Sequence, residues 1–99
     1  MDNAQKSRRV VLNGWRMGTK EKAHAHLKRR LHFPDYYGAN LDALCDCLTD
    51  IRRPTELVLV NAAYMKKRLG DYGTRLLSAM MAATAEDACL RLTVRDGLL

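Results

Sequence analysis

The feature that most limits what this chain can fold into is an uninterrupted apolar run, Leu57-Val58-Leu59-Val60. A strand with one face in water alternates apolar and polar residues, whereas a run without alternation is typical of a strand buried on both faces of a parallel sheet. We therefore expect this run to form the central strand of such a sheet.

Two further strand patterns lie on either side of this run in the sequence. Residues 10–12 are apolar and precede the turn signal Asn13-Gly14, and residues 89–94 alternate apolar side chains with Arg91 and Thr93. Segments with helical spacing separate the three patterns, which implies parallel pairing through right-handed crossovers. The sequence thus predicts an α/β fold with a three-stranded parallel sheet flanked by about four helices.

The four helices are predicted from their apolar spacing and their end signals. Thr19 is a plausible N-cap for residues 20–30, and Asn40 for the helix that follows it. Gly70 should end a short helix over residues 62–69. In the last helix, over residues 72–85, we expect four side chains to face inward: Leu76, Leu77, Met80 and Met81.

The length of 99 residues fits one core, so we expect a flexible tail over residues 1–8 and a single domain over residues 9–99. No apolar run approaches the roughly 20 residues of a membrane-spanning helix. The polar N-terminus has no secretory-signal pattern, and the three cysteines are an odd number without the spacing of a disulfide framework. We therefore expect a cytoplasmic protein with reduced thiols.

The charge distribution is uneven. The net charge is +6, yet residues 31–51 contain no Lys or Arg and four aspartates, so this stretch carries −4 and the remainder +10. Asp42, Asp46 and Asp50 repeat every four residues on one helix face, where like charges destabilise the helix by roughly 0.2–0.5 kcal/mol per pair. Asp46 and Asp50 also lie toward the negative end of the helix dipole. One interpretation is a solvated face; the other is a binding surface for a cationic site.

The aromatic pair Tyr36-Tyr37 and Gly38 directly precede this acidic helix, which favours the binding surface. The whole segment reads PDYYGANLDALCDCLT over residues 34–49. It resembles the signature segment of the barstar family, bacterial inhibitors of secreted guanyl-specific ribonucleases such as barnase. Weaker similarity extends over about residues 9–95.

The resemblance implies three parallel strands flanked by helices and a mechanism of inhibition. In barstar-like proteins the segment that matches residues 36–50 enters the nuclease active site, and the aspartate that matches Asp46 occupies the position of a substrate phosphate. Asp42 and Tyr36 match further contacts. The remaining predicted partner-binding residues are Gly38, Asn40, Leu41, Cys45, Thr49 and Asp50.

This sequence departs from the family pattern in three ways. Cys45 takes the place of the family's usual tryptophan, Ala83 takes the place of an acid on the last helix, and the net charge is positive although barstar is acidic. We expect weak long-range steering toward a basic nuclease as a result, with the local acidic segment supplying the complementarity.

The sequence therefore predicts a non-catalytic inhibitor that protects the cell, acting as a monomer that forms a 1:1 complex with a barnase-like ribonuclease. No metal or cofactor is expected, since His24 and His26 are about 200° apart on a helix and cannot bind one ion together. Catalysis by Cys45 is not expected either, because the charge of Asp46 would raise the pKa of its thiol. One alternative is a module of the same fold that binds a different basic protein. Another is RNA binding through the basic clusters at residues 28–30 and 66–68, but direct nucleic-acid binding is not expected because short basic runs are commonly solvated.

Overall fold

The structure, a computed structural model, describes residues 8–97. Three strands, β1 (Arg8–Asn13), β2 (Thr55–Val60) and β3 (Leu90–Val94), form one parallel sheet in the order β1-β2-β3. The long apolar run lies in β2, and each of its four side chains is at most 3% exposed. The predicted central strand is confirmed.

Four helices connect the strands, two in each connection: α1 (Lys20–Leu31) and α2 (Leu41–Thr49) between β1 and β2, and α3 (Ala62–Leu69) and α4 (Asp71–Ala85) between β2 and β3. A 3-10 turn, Gly14–Arg16, follows β1. This is the predicted α/β fold, with a three-stranded parallel sheet and four helices.

The predicted helix ends are confirmed by their hydrogen bonds and backbone angles. Thr19 Oγ1 accepts a hydrogen bond from the backbone N–H of Lys22, with N and O 3.1 Å apart. Gly70 ends α3 with a φ of 59°, a conformation that glycine adopts without the steric penalty of a Cβ.

One core cluster joins the sheet to all four helices. The strands contribute Val10, Leu12, Leu57, Leu59 and Leu90. Helix α2 contributes Leu44 and Leu48, both fully buried, so these two side chains anchor the acidic helix to the core.

Two expectations need correction. Met81 is 54% exposed, whereas Leu76 and Met80 are fully buried as predicted. One residue corresponds to about 100° around a helix, so Met81 lies beside the buried face of α4 and not on it. The other correction concerns the boundary of the domain. Strand β1 begins at Arg8, one residue before the predicted start of the domain. Residues 1–7 of the predicted tail lie outside the described residues.

Within residues 8–97, no helix is long and apolar enough to cross a membrane.

A buried histidine joins α1 to the end of β1. His26 is 4% exposed, and its Nε2 accepts a hydrogen bond from the backbone N–H of Asn13, with the two nitrogens 3.0 Å apart. Burial, and then the nearby guanidinium groups of Arg29, Arg30 and Arg16, lower the pKa of His26 to about 4. The folded protein therefore requires the neutral imidazole.

We expect acid to destabilise the fold through this residue. An unfolded chain binds a proton at His26 below about pH 6.5, and the folded chain does so only near pH 4, so protons favour the unfolded state in this window. Lowering the pH from about 7 to about 5 should reduce the free energy of unfolding by about 2 kcal/mol. Urea unfolding at both pH values measures this loss.

His26→Gln is the matched control for the pH effect, because the amide oxygen can still accept from Asn13 but does not titrate. Its stability should depend on pH less steeply than that of the wild type by about the same 2 kcal/mol. Equal pH dependence in the two proteins would show that His26 is not the group responsible.

Candidate functional site

An open groove of about 580 Å³ separates the loop after α1 from helix α2. Tyr36 and Gly38 line it from the loop, and Asp46, Cys47 and Asp50 line it from the helix. The ring of Tyr36 is 88% exposed. An aromatic side chain and two carboxylates therefore face solvent around one concave surface, which we call the acidic groove.

The loop side of the acidic groove is held by a buried hydrogen-bonded chain. The hydroxyl of Tyr37 lies 2.6 Å from His24 Nδ1, and the hydroxyl of Tyr72 lies 2.6 Å from His24 Nε2. Burial lowers the pKa of His24 and raises the pKa of Tyr37, so all three groups are neutral at pH 7. The neutral imidazole donates to one tyrosine and accepts from the other, which ties the loop to α1 and α4.

The turn into α2 depends on close packing around Asn40. Its Oδ1 accepts from the backbone N–H of Ala43 at 2.8 Å, and its Nδ2 donates to the carbonyl of Gly38 at 3.4 Å. A Cβ on Gly38 would lie 3.3 Å from Asn40 Nδ2 and 3.4 Å from the Cβ of Ala43. A side chain at position 38 would therefore require the amide of Asn40 to shift by a few tenths of an ångström. Glycine tolerates a positive φ better than any other residue, yet the positive φ in this turn, 54°, is at Ala39 and not at Gly38.

The three aspartates of α2 are exposed, and their charge is not compensated by a neighbouring cation. Within residues 8–97, the one ion pair with charged atoms within 4 Å joins Lys66 to Asp96, so it includes none of these three aspartates. The pKa of the Cys47 thiol is raised, first by burial and then by the charges of Asp50 and Asp46. The negative charges on this helix face therefore raise the pKa of a thiol on the same helix.

The predicted contact residues divide into two groups. Tyr36, Gly38, Asp46 and Asp50 line the acidic groove together. The other five residues do not line the groove. Asn40 caps the helix, Leu41 packs against the core, and Asp42 is exposed in the first turn. Thr49 Oγ1 donates to the carbonyls of Cys45 and Asp46, and Cys45 points toward α4, with its Sγ 4.0 Å from the carbonyl oxygen of Ala79.

Sequence reasoning missed the residues that position the loop. Adjacent residues such as Tyr36 and Tyr37 are expected to point in opposite directions, and the structure shows that Tyr37 packs inward and Tyr36 points out. The residues that hold Tyr37, His24 and Tyr72, lie 13 and 35 residues away from it in the sequence. No local spacing signals such a contact. In the part of the chain that the structure describes, no three His, Cys, Asp or Glu side chains are close enough together to hold a metal ion.

Sequence and fold define the class of the protein: the chain belongs to the barstar family. The family model described as "Barstar (barnase inhibitor)" matches residues 7–95. Among individual proteins, the chain is similar to one from Bacillus subtilis (strain 168) that is named "Putative ribonuclease inhibitor YrdF". The two are 41% identical over 80 residues, which are 80% of this chain and 88% of that protein.

Proposed function

We propose that this chain is a protein inhibitor of a barnase-type ribonuclease and that its acidic groove covers the active site of the enzyme. The observation that carries the proposal is the position of Asp46, an exposed carboxylate on the wall of a groove that also holds Asp50 and the exposed ring of Tyr36. Membership in the barstar family and the name of the Bacillus subtilis relative support the same role.

The mechanism follows from charge complementarity. An enzyme that cleaves RNA must place cationic groups around the scissile phosphate, because negative charge develops there during the reaction. The carboxylate of Asp46 can enter that site as a phosphate substitute and accept charge-assisted hydrogen bonds from the same cations. RNA is then excluded by occupancy, and no covalent step is needed.

The preformed groove contributes to affinity in a second way. Tyr36 projects into solvent from a loop that Tyr37 and His24 hold in place, so the ring can serve as an anchor with little loss of loop entropy on binding. Asp42, one turn before Asp46, extends the acidic contact along the same helix. One helix and one loop form a single continuous surface, which fits a 1:1 complex.

Catalysis by the chain itself is not part of this mechanism. Burial, followed by the charges of Asp42, Asp46 and Glu86, raises the pKa of the Cys45 thiol. A thiol in this environment stays protonated at pH 7, so it is a poor nucleophile.

The experiment that tests the proposal is a titration of the RNA-cleaving activity of a barnase-type enzyme with the whole chain. With the enzyme concentration well above the dissociation constant, activity should fall linearly and reach zero at equal molar amounts. Full activity in the presence of a large excess of the chain would contradict the proposal. Binding of the chain to a different basic protein would then identify it as an interaction module of the same fold.

A further inference from the structure

A second exposed surface lies on the 3-10 turn and α3 and shares no residue with the acidic groove. Trp15, the only tryptophan of the sequence, is 66% exposed. Its ring is stacked on that of Tyr64, with ring centroids 5.4 Å apart and planes inclined by 27°. An indole exposed to this extent leaves most of its surface available for contact with a ligand.

Cations surround this aromatic pair. An open cavity of about 320 Å³ is lined by Trp15 together with Arg16, Lys22 and Arg29, and no Asp or Glu lines it. Next to the second ring of the pair, the guanidinium carbon of Arg68 lies 6.0 Å from the centroid of Tyr64. We call the two rings and the four cations the aromatic-basic platform.

These cations have no acidic partners among the described residues. All four side chains are exposed, and the ion pair found within residues 8–97, Lys66–Asp96, includes none of them. The platform therefore presents four unneutralised positive charges around one open aromatic face.

We propose that the aromatic-basic platform binds single-stranded RNA. A base can stack on the open face of Trp15, while phosphates on either side of it meet Arg16, Lys22 and Arg29 on one side and Arg68 on the other. Stacking needs an unpaired base, which a double helix does not offer, and unpaired bases are characteristic of RNA loops and ends. The cavity beside Trp15 is lined by three cations and by no carboxylate, which favours a partner with regularly spaced negative charges, as a nucleic-acid backbone has.

This surface differs from the basic clusters that the sequence pattern singled out. Only Arg29 and Arg68 belong to those clusters, and Lys66 is paired with Asp96 at 3.6 Å. The aromatic partner, which makes stacking possible, comes from a contact between Trp15 and Tyr64, 49 residues apart in the sequence. The proposal therefore departs from the expectation that direct nucleic-acid binding is absent, and it does not depend on the proposed inhibition of a ribonuclease.

The first test is the emission of Trp15 during titration of the whole chain with a uridine 12-mer at low salt. Because Trp15 is the only tryptophan, stacking of a base should quench the emission with the same midpoint as the anisotropy of a labelled 12-mer. Dissociation constants of about 1–100 µM are expected for such binding. No saturable binding up to about 500 µM protein, or binding that leaves the Trp15 emission unchanged, would overturn the proposal.

Variants separate stacking from charge. Trp15→Ala should weaken binding about 10- to 100-fold, whereas Trp15→Phe should retain most of it because the face of a ring remains. Arg16→Ser should weaken binding and Arg53→Ser, an exposed arginine away from the platform, should not. Equal effects of Arg16→Ser and Arg53→Ser would contradict a defined site.

Salt dependence and other nucleic acids complete the test. With four phosphate contacts to a single strand, a plot of the logarithm of the association constant against the logarithm of the salt concentration should have a slope of about −3. In Arg16→Ser the slope should be less steep by about 0.7. Binding of duplex RNA or of a thymidine 12-mer more tightly than the uridine 12-mer would overturn the assignment to single-stranded RNA. Since no ribonuclease is present in these measurements, their outcome is independent of the inhibition assay.

Discussion

Asp46→Ala is expected to weaken inhibition of the ribonuclease by about 100-fold to several thousand-fold, from the roughly 3–5 kcal/mol that removal of one partner from a desolvated charge pair costs. In the proposed complex the carboxylate lies among the cationic groups of the active site. Its loss leaves those cations buried without a counter-charge. The inhibition constant against a barnase-type enzyme measures the effect.

The folded chain should not be weakened by the same change. Asp46 is exposed, it lies four residues from both Asp42 and Asp50, and the like charges oppose helix formation by roughly 0.2–0.5 kcal/mol per pair. We therefore expect the free energy of unfolding of Asp46→Ala to equal or slightly exceed that of the wild type. Opposite effects on inhibition and on stability are the signature of a residue kept for binding.

Two further variants make the Asp46 result specific. Asp46→Asn keeps the shape and removes the charge, so it should lose most of the inhibition. Glu21→Gln removes a charge in the first turn of α1, away from the acidic groove, and should leave the inhibition constant unchanged within about threefold. If Asp46→Ala inhibited as well as the wild type, Asp46 would not be the phosphate substitute.

Gly14→Ala should destabilise the fold by roughly 3 kcal/mol or more, or prevent folding altogether. A Cβ at this position would lie 2.2 Å from the backbone oxygen of Asn61 and 2.8 Å from its carbonyl carbon. These are backbone atoms at the junction of β2 and α3, so they cannot move aside as the end of a side chain could. The free energy of unfolding in urea, followed by circular dichroism, measures the loss.

Gly18→Ala is the matched control for Gly14→Ala. It lies four residues further along, and a Cβ there would meet only the Nε of Arg68 at an ordinary 3.8 Å. A change within about 0.5 kcal/mol is expected for this variant. A similarly small change for Gly14→Ala would show that the end of β1 does not require this close approach.

The sequence predicted those parts of the fold that depend on neighbouring residues. The run at residues 57–60 placed β2 at the centre of the sheet because burial on both faces requires apolar side chains throughout. Thr19 and Asn40 marked the starts of α1 and α2 because a cap bonds to the N–H two or three positions after it. The four-residue spacing of the aspartates likewise predicted that they share one exposed face of α2, because this spacing is set by the helix itself.

The parts that the sequence could not provide depend on contacts between distant segments. Whether an α2 residue lines the acidic groove depends on where the preceding loop lies, which His24 and Tyr72 determine through Tyr37. Asp42 and Cys45 therefore lie outside the groove lining although they belong to the same helix as Asp46. Likewise, the exposed stack of Trp15 on Tyr64 exists only once the 3-10 turn meets α3.

The most direct test of the acidic groove as an active-site block is competition with a mononucleotide that occupies the active site of the ribonuclease. Calorimetry at rising nucleotide concentration measures the apparent dissociation constant of the chain for the enzyme. This constant should increase in proportion to the nucleotide concentration once the nucleotide exceeds its own dissociation constant. Two ligands that compete for one site give this proportional increase. An apparent dissociation constant that stays the same at saturating nucleotide would show that the chain binds elsewhere and would contradict the proposed mechanism.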